Sequence, residues 1–222
     1  MKLTSASEAW RRASWLAAAP SFARMPSNAD YAQMIRHRAG DLARICHNLA
    51  TGRIDIDQFG ELFDGVLLKG HTDGWVMGRQ RAGDSRDITD ADRLAGLAAK
   101  DSEAQFLNGF LDDLRNGRYL DDAGELKEAA IRARSNLYLG KVRATSAEAF
   151  VEASDPAEEY IWILVAEEHC EDCPRIADLS PFTKDTIIGF PGSGDTECLG
   201  NCKCFLKRVS DNHTTFEAPS LG

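Results

Sequence analysis

The sequence predicts a mainly α protein in which a helical body is followed by a small α+β module at the C-terminal end. Two observations carry that expectation. Between residues 27 and 152 apolar side chains recur at three- and four-residue spacing, in blocks bounded by capping residues and glycines. After Asp155-Pro156 the pattern changes to two short runs rich in branched and aromatic residues, which flank a turn-rich segment holding five of the six cysteines. A chain of 222 residues suffices for one sizeable core and one appendage. The boundaries read as an N-terminal arm over 1–26, the body over 27–154, the module over 155–209 and a flexible tail over 210–222.

The N-terminal arm pairs Arg11-Arg12 with a short apolar stretch that Pro20 ends, and reads as an amphipathic segment docking Trp10, Trp15 and Leu16 rather than as an export signal. From Tyr31 to Leu49 the apolar positions Tyr31, Met34, Ile35, Leu42, Ile45, Cys46 and Leu49 lie on one helix face. Ser27 with Asp30 forms a variant capping box, Thr51-Gly52 supplies the stop, and Cys46 reads as a core residue. A second helix starts near Asp55 or Asp57 and buries Phe59, Leu62, Phe63, Val66 and Leu67. Gly70, Gly74 and Gly78 follow at four-residue spacing, so they either line a face that lets another backbone approach or mark a frayed helix end.

Thr89 caps a predicted third helix carrying Leu94, Leu97, Phe106, Phe110 and Leu114, which Asn116-Gly117 terminates. A fourth is expected from Asp122 to Phe150, with Leu126, Ala130, Ala133, Leu137 and Val151 facing inward. His37, His47 and His71 fall at unrelated spacings in this half and read as surface or interhelical residues, so the body is expected to be scaffold. Strands are expected at Tyr160–Ala166 and Lys203–Val209.

The composition narrows the function classes. Hydrophobic residues make up 43% and charged residues 27%, and no apolar run approaches the roughly 20 residues that a membrane helix requires, so no membrane partner is expected. A formal charge of −9 counts against polyanionic nucleic acid as a default partner, because phosphate binding draws on clustered Lys and Arg.

The cysteines run Cys170-x2-Cys173, then 24 residues, then Cys198-x3-Cys202-x-Cys204. A Cys-x2-Cys pair in a tight turn presents two thiolates to one tetrahedral ion, and a second cluster closes the shell, which makes the module zinc-knuckle-like. A segment of some 40 residues with few core-forming side chains has a motive for this, since a structural Zn2+ supplies on the order of 10 kcal/mol of folding energy. The metal candidates are therefore Cys170, Cys173, Cys198, Cys202 and Cys204, with one structural Zn2+ per chain, one thiol of the second cluster in surplus, and His169 as a polar neighbour or alternative fourth ligand. Disulfides compete, but five clustered cysteines leave one odd; a redox or cluster role is a further alternative. An enzymatic zinc site is the sharper alternative: His169-Cys170-Glu171 matches half of the zinc deaminase signature, while "ECLGNCKC" departs from its Pro-Cys-x2-Cys half.

The stretches "EEHCEDCPRIADLSPF" and "GFPGSGDTECLGNCKCFL" resemble the C-terminal cysteine motif of bacteriophage head morphogenesis proteins, the Mu F-like minor head family. The corresponding residues are His169, Cys170, Asp172, Cys173, Pro191, Gly192, Thr196, Cys198, Asn201, Cys202 and Cys204. Where many members carry His-Pro ahead of Asn-Cys-x-Cys, this chain has Leu199-Gly200, and Cys198 lies one residue earlier. "LATGRIDIDQFGELF" is similar to the family's helix, short loop and second helix. The resemblance implies a virion component without enzymatic activity, associated with portal and capsid interior and made in the host cytoplasm during assembly. Its implied partners are portal and major capsid or scaffold proteins, with packaged DNA as a further contact. The alternative is a zinc-containing nucleic-acid-binding protein that touches DNA through "KCFLKRV" and Arg132, Arg134 and Arg143, with a metalloenzyme built on His169 and Glu171 as a third class.

Overall fold

The structure is a computed structural model that describes residues 28–165 and 169–211. The N-terminal arm, Ser27 of the first predicted cap, Ala166 at the end of the first predicted strand and the tail from residue 212 lie outside the described residues. The fold is mainly helical with a small strand-containing C-terminal region, as the sequence leads one to expect.

Helix α1, Asn28–Ala50, buries Ala32, Ile35, Leu42, Ile45, Cys46 and Leu49 along one face. It ends where Gly52 adopts φ 67°, letting Gly52 N donate to Leu49 O and Arg53 N to Asn48 O, so two end carbonyls are satisfied. Asp55 then caps α2, Ile56–Arg81, in a reciprocal box: its side chain accepts from Gln58 N at 2.8 Å while Gln58 Oε1 accepts from Asp55 N at 3.0 Å. The helix continues unbroken through all three spaced glycines. A Cβ on Gly74 would stand 2.9 Å from the Val142 carbonyl oxygen, and one on Gly78 would run into the Ser146 carbonyl, so close approach is their role.

The predicted third helix is two helices, α3 Asp90–Asp101 and α4 Ala104–Arg115. The break turns Glu103 inward to the buried His71, while Ser102 Oγ donates back to Ala99 O at 2.6 Å. The face that α3 presents inward is polar and small: Asp92 and Gly96 are buried, and Leu94 is 65% exposed, contrary to the expected stripe. Asp92 closes a capping box with Thr89 and also takes the buried Arg79 guanidinium, Nε to Oδ1 at 3.0 Å and Nη2 to Oδ2 at 2.9 Å. Phe106 of the expected stripe is likewise 46% exposed, leaving Leu107, Phe110 and Leu114 to fill the core.

Helix α5, Glu128–Ala153, starts later than expected because Asp121 first folds a turn, accepting from Ala123 N and Glu125 N at 2.9 Å. Its inward residues are Ile131, Ser135, Tyr138, Leu139 and Val142; Ala133 is exposed. The α2–α5 pair is the most extensive helix contact, and α1 and α4 complete a core in which Phe59, Phe63, Phe110 and Tyr138 meet at steep ring angles. Among the described residues no helix is long and apolar enough to cross a membrane.

The C-terminal region pairs β1, Tyr160–Ile163, antiparallel with β2, Phe205–Arg208, in the register Tyr160↔Arg208 and Trp162↔Leu206. Both strands are shorter than expected. Their buried residues Tyr160, Trp162 and Leu206 join Phe150, Val151, Phe182, Cys173, Cys202 and Cys204 in a second core, so the end of α5 belongs to both halves. The unexpected element is α6, Asp172–Asp178, whose Pro174 sits in the first helical turn where no amide donor is needed.

Candidate metal centre

Three short elements carry the five clustered thiols. Cys170 lies one residue ahead of the Glu171 cap of α6 and Cys173 lies in its first turn; Cys198 leads the 3-10 turn Leu199–Asn201; Cys202 follows that turn and Cys204 directly precedes β2. Leu199 takes φ 49°, a left-handed conformation costly for a side-chain-bearing residue, and this bends the chain so that Cys198 and Cys202 both reach the cluster. Cys173, Cys202 and Cys204 are buried, while Cys170 and Cys198 are half-buried.

The sulfur geometry matches a thiolate shell. Cys170 Sγ lies 3.4 Å from both Cys173 Sγ and Cys198 Sγ; Cys173 Sγ lies 3.8 Å from Cys198 Sγ and 3.6 Å from Cys202 Sγ. Tetrahedral coordination with Zn–S near 2.3 Å places sulfurs about 3.8 Å apart, so these spacings need little adjustment around an ion. The buried cysteine cluster could hold a metal ion. A donor set made of thiols suits a soft or borderline cation rather than Mg2+ or Ca2+. All six cysteines are free thiols.

The cluster is also electrically uneven. The hydrogen bond from Cys202 draws the Cys204 thiol down to about 5, aided by Cys173 and the Trp162 side chain and opposed by burial. Donating that hydrogen bond and burial push Cys202 up, and burial pushes Cys173 up. Hydrogen bonds from its neighbours thus favour the thiolate form of Cys204, and a cation can take the place of the donated protons.

Around the thiols the chain is cross-tied. Thr196 Oγ1 sits 3.2 Å from Cys198 Sγ, Glu197 N donates to Asp172 Oδ2 at 2.9 Å, and Glu171 N donates to Glu197 Oε2 at 3.2 Å, so the two cysteine segments are joined before any ion is added. Helix α5 supplies the platform. Arg143 Nη1 donates to Cys202 O at 2.7 Å, and three glycines bring backbone against backbone: a Cβ on Gly192 would stand 2.6 Å from Gly140 O, and one on Gly200 2.7 Å from Leu137 O.

All five predicted metal candidates are therefore brought together, and His169 is not: it is exposed and in none of the potential ligand groups among the described residues. Glu171 is exposed and engages the site through its backbone. Of the arginines assigned to the nucleic-acid alternative, Arg143 is committed to Cys202 and Arg134 lies over the Phe110 and Tyr138 rings, at 5.9 and 5.4 Å; Arg132 is exposed. Cys46 lies apart in the body core, 3.4 Å from Ser135 Oγ.

Of the residues at this junction, sequence reasoning missed Gly140 and gave the others no docking role: Gly192 and Gly200 entered only with the phage-like motif, and Arg143 only as a DNA contact. A glycine inside a helix and a Pro-Gly turn were the available signals for Gly140 and Gly192. It also missed a buried polar link in the body, where His71 Nδ1 lies 2.8 Å from Thr145 Oγ1 and Nε2 lies 2.9 Å from Glu103 Oε1. These residues are 32 and 74 positions away along the chain, so no local spacing announces them. No protein-family model, curated protein or solved structure matches the chain.

Proposed function

We propose that the chain is a bacteriophage minor head protein, a structural component that associates with portal and capsid or scaffold proteins during assembly and whose cysteine module is braced by zinc. One observation carries this reading. Ten of the eleven residues of the phage-like motif, all but the exposed His169, converge on one small site, and each of the ten has a task there. The five cysteines form the thiol cluster, Thr196 approaches Cys198, Asp172 ties down the Glu197 amide, Asn201 N bonds back to Cys198 O at 2.9 Å, and Gly192 lets the Pro191 turn press on α5. A motif whose members, His169 apart, serve one structural centre supports a structural role for the ion. The all-sulfur donors and the sulfur spacings favour zinc.

In this role the ion stabilises the fold of the module and the helical body supplies a rigid mount, with the virion interior or portal region as its location. The test is genetic and biochemical. With the gene disrupted in the phage or prophage that encodes it, infectious particles should be lost and heads should accumulate incomplete; the chain should be detected in purified particles. Cys173→Ser should fail to complement, whereas Glu171→Gln should complement fully. Normal particles that lack the chain would overturn the reading, and failure of a folded, metal-loaded Glu171→Gln protein would point to chemistry at the site instead.

A further inference from the structure

The five sulfurs group as two triads with one shared vertex. Cys170, Cys173 and Cys198 lie within 4.8 Å of one another, and so do Cys173, Cys202 and Cys204. A single tetrahedral ion asks for something different, namely four sulfurs all about 3.8 Å apart. Cys173 alone belongs to both triads, and its Sγ has neighbours on either side, Cys170 at 3.4 Å and Cys202 at 3.6 Å. A thiolate has lone pairs enough to bond two cations.

We propose that the centre is built for two soft divalent cations, an outer one held by Cys170, Cys173 and Cys198 and an inner one held by Cys173, Cys202 and Cys204, with the Cys173 thiolate bridging them. This rests on the reading that the thiols bind metal, and it raises the one-ion expectation of the sequence to two. It also removes the surplus thiol, because every clustered cysteine becomes a ligand. The charges favour it: four thiolates around one divalent ion leave two net negative charges beside an unused fifth thiol in a largely buried site, whereas five thiolates around two ions leave one. Uncompensated buried charge is costly. The two positions differ in surroundings. The carboxylates of Asp172 and Glu197 lie with Cys170 in a third group within 4.8 Å, so the outer ion has oxygen donors within reach, whereas the inner triad is wholly buried.

The deciding experiment is a count. The full chain is stripped of metal under reducing conditions, loaded with Zn2+ or with 113Cd2+, and examined by native mass spectrometry and 113Cd NMR. Two ions per chain and two cadmium resonances, both coupled to the Cys173 β-protons, are expected. Cys204→Ser and Cys198→Ser should each lower the count from two to one and leave the resonance of the other position. Saturation of the unaltered chain at one ion, with Cys204→Ser unchanged, would overturn the two-ion centre and leave the metal reading standing. No bound ion at all would overturn both. Because the count is made first on the unaltered chain, a variant that fails to fold does not obscure the answer.

Discussion

Arg143 Nη1 donates to the carbonyl oxygen of Cys202 at 2.7 Å, joining the middle of the longest body contact to the innermost part of the thiol cluster. The module is therefore fastened to α5 by a charged hydrogen bond at the point where its own chain turns toward β2. Replacing Arg143 by Met keeps much of the aliphatic stem and removes the donor. A lost hydrogen bond to a charged group costs about 1.5–3 kcal/mol. The expected result is faster proteolysis between residues 164 and 204 with unchanged helical circular dichroism; equal loss in both halves would show that Arg143 serves the body instead.

Gly140→Ala tests the same junction from the other side. In an exposed helix the change adds stability, on the order of 1 kcal/mol, but here the new methyl would overlap the Gly200 carbonyl and come within 2.8 Å of Gly200 Cα. Gly109 in α4 is the control, since a Cβ there meets nothing within 4 Å. Gly109→Ala should raise the melting temperature while Gly140→Ala speeds hydrogen exchange across the module. Both substitutions stabilising would mean that the module does not rest on α5.

Removing metal should act on one half only. A strong chelator is expected to open the region around β1, α6 and β2, because that core contains three of the cluster's own cysteines, while the aromatic core of the body persists. Cys46→Ala should leave metal content unchanged, since Cys46 packs in the body beside Ser135. Loss of body helicity on chelation would contradict the division into two cores.

Acid should loosen the loop between α2 and α3. Asp84 is held down at about 2, chiefly by its hydrogen bond with Arg86 and further by Arg79, against an opposing burial effect. Its folded value lies below the ordinary carboxylate value of about 3.9. The stabilisation is therefore complete above pH ~4 and lost as pH falls from there toward 2. Asp84→Asn should flatten the acid limb of a stability–pH curve in that window; an unchanged limb would show that the Arg79 and Arg86 contacts carry no net energy.

The helical body was legible where one face is apolar and the ends carry stop or start signals, as at Leu42, Leu49 and Gly52 or at the helix start near Asp55. It was illegible where the buried face is polar. Asp92 and Gly96 point inward on α3 because Arg79 and the Thr72 backbone wait for them, and Glu103 breaks the helix to meet His71. Partners so far away along the chain leave no mark on local periodicity. In the candidate site the thiols announced themselves by spacing, but α6 was hidden by Pro174 and by neighbours that read as turn residues. The glycine seam among positions 140, 192 and 200 became visible only once two backbones had been brought together.

The pairing of β1 with β2 closes a long excursion of chain, from Ile163 to Phe205, that two four-residue strands could hardly hold shut alone. Ring closure grows more costly only as the logarithm of length, roughly 0.6 kcal/mol for each doubling. Metal bonds at Cys170, Cys173, Cys198, Cys202 and Cys204 would cut that single large ring into smaller ones, leaving the arc between Cys173 and Cys198 as a loop clipped at its base. Extra residues spliced in at its exposed Asp185–Thr186 turn would then lengthen a ring whose ends are already fixed. Insertions at that turn would thus exchange surface for surface while the frame beneath stays the same.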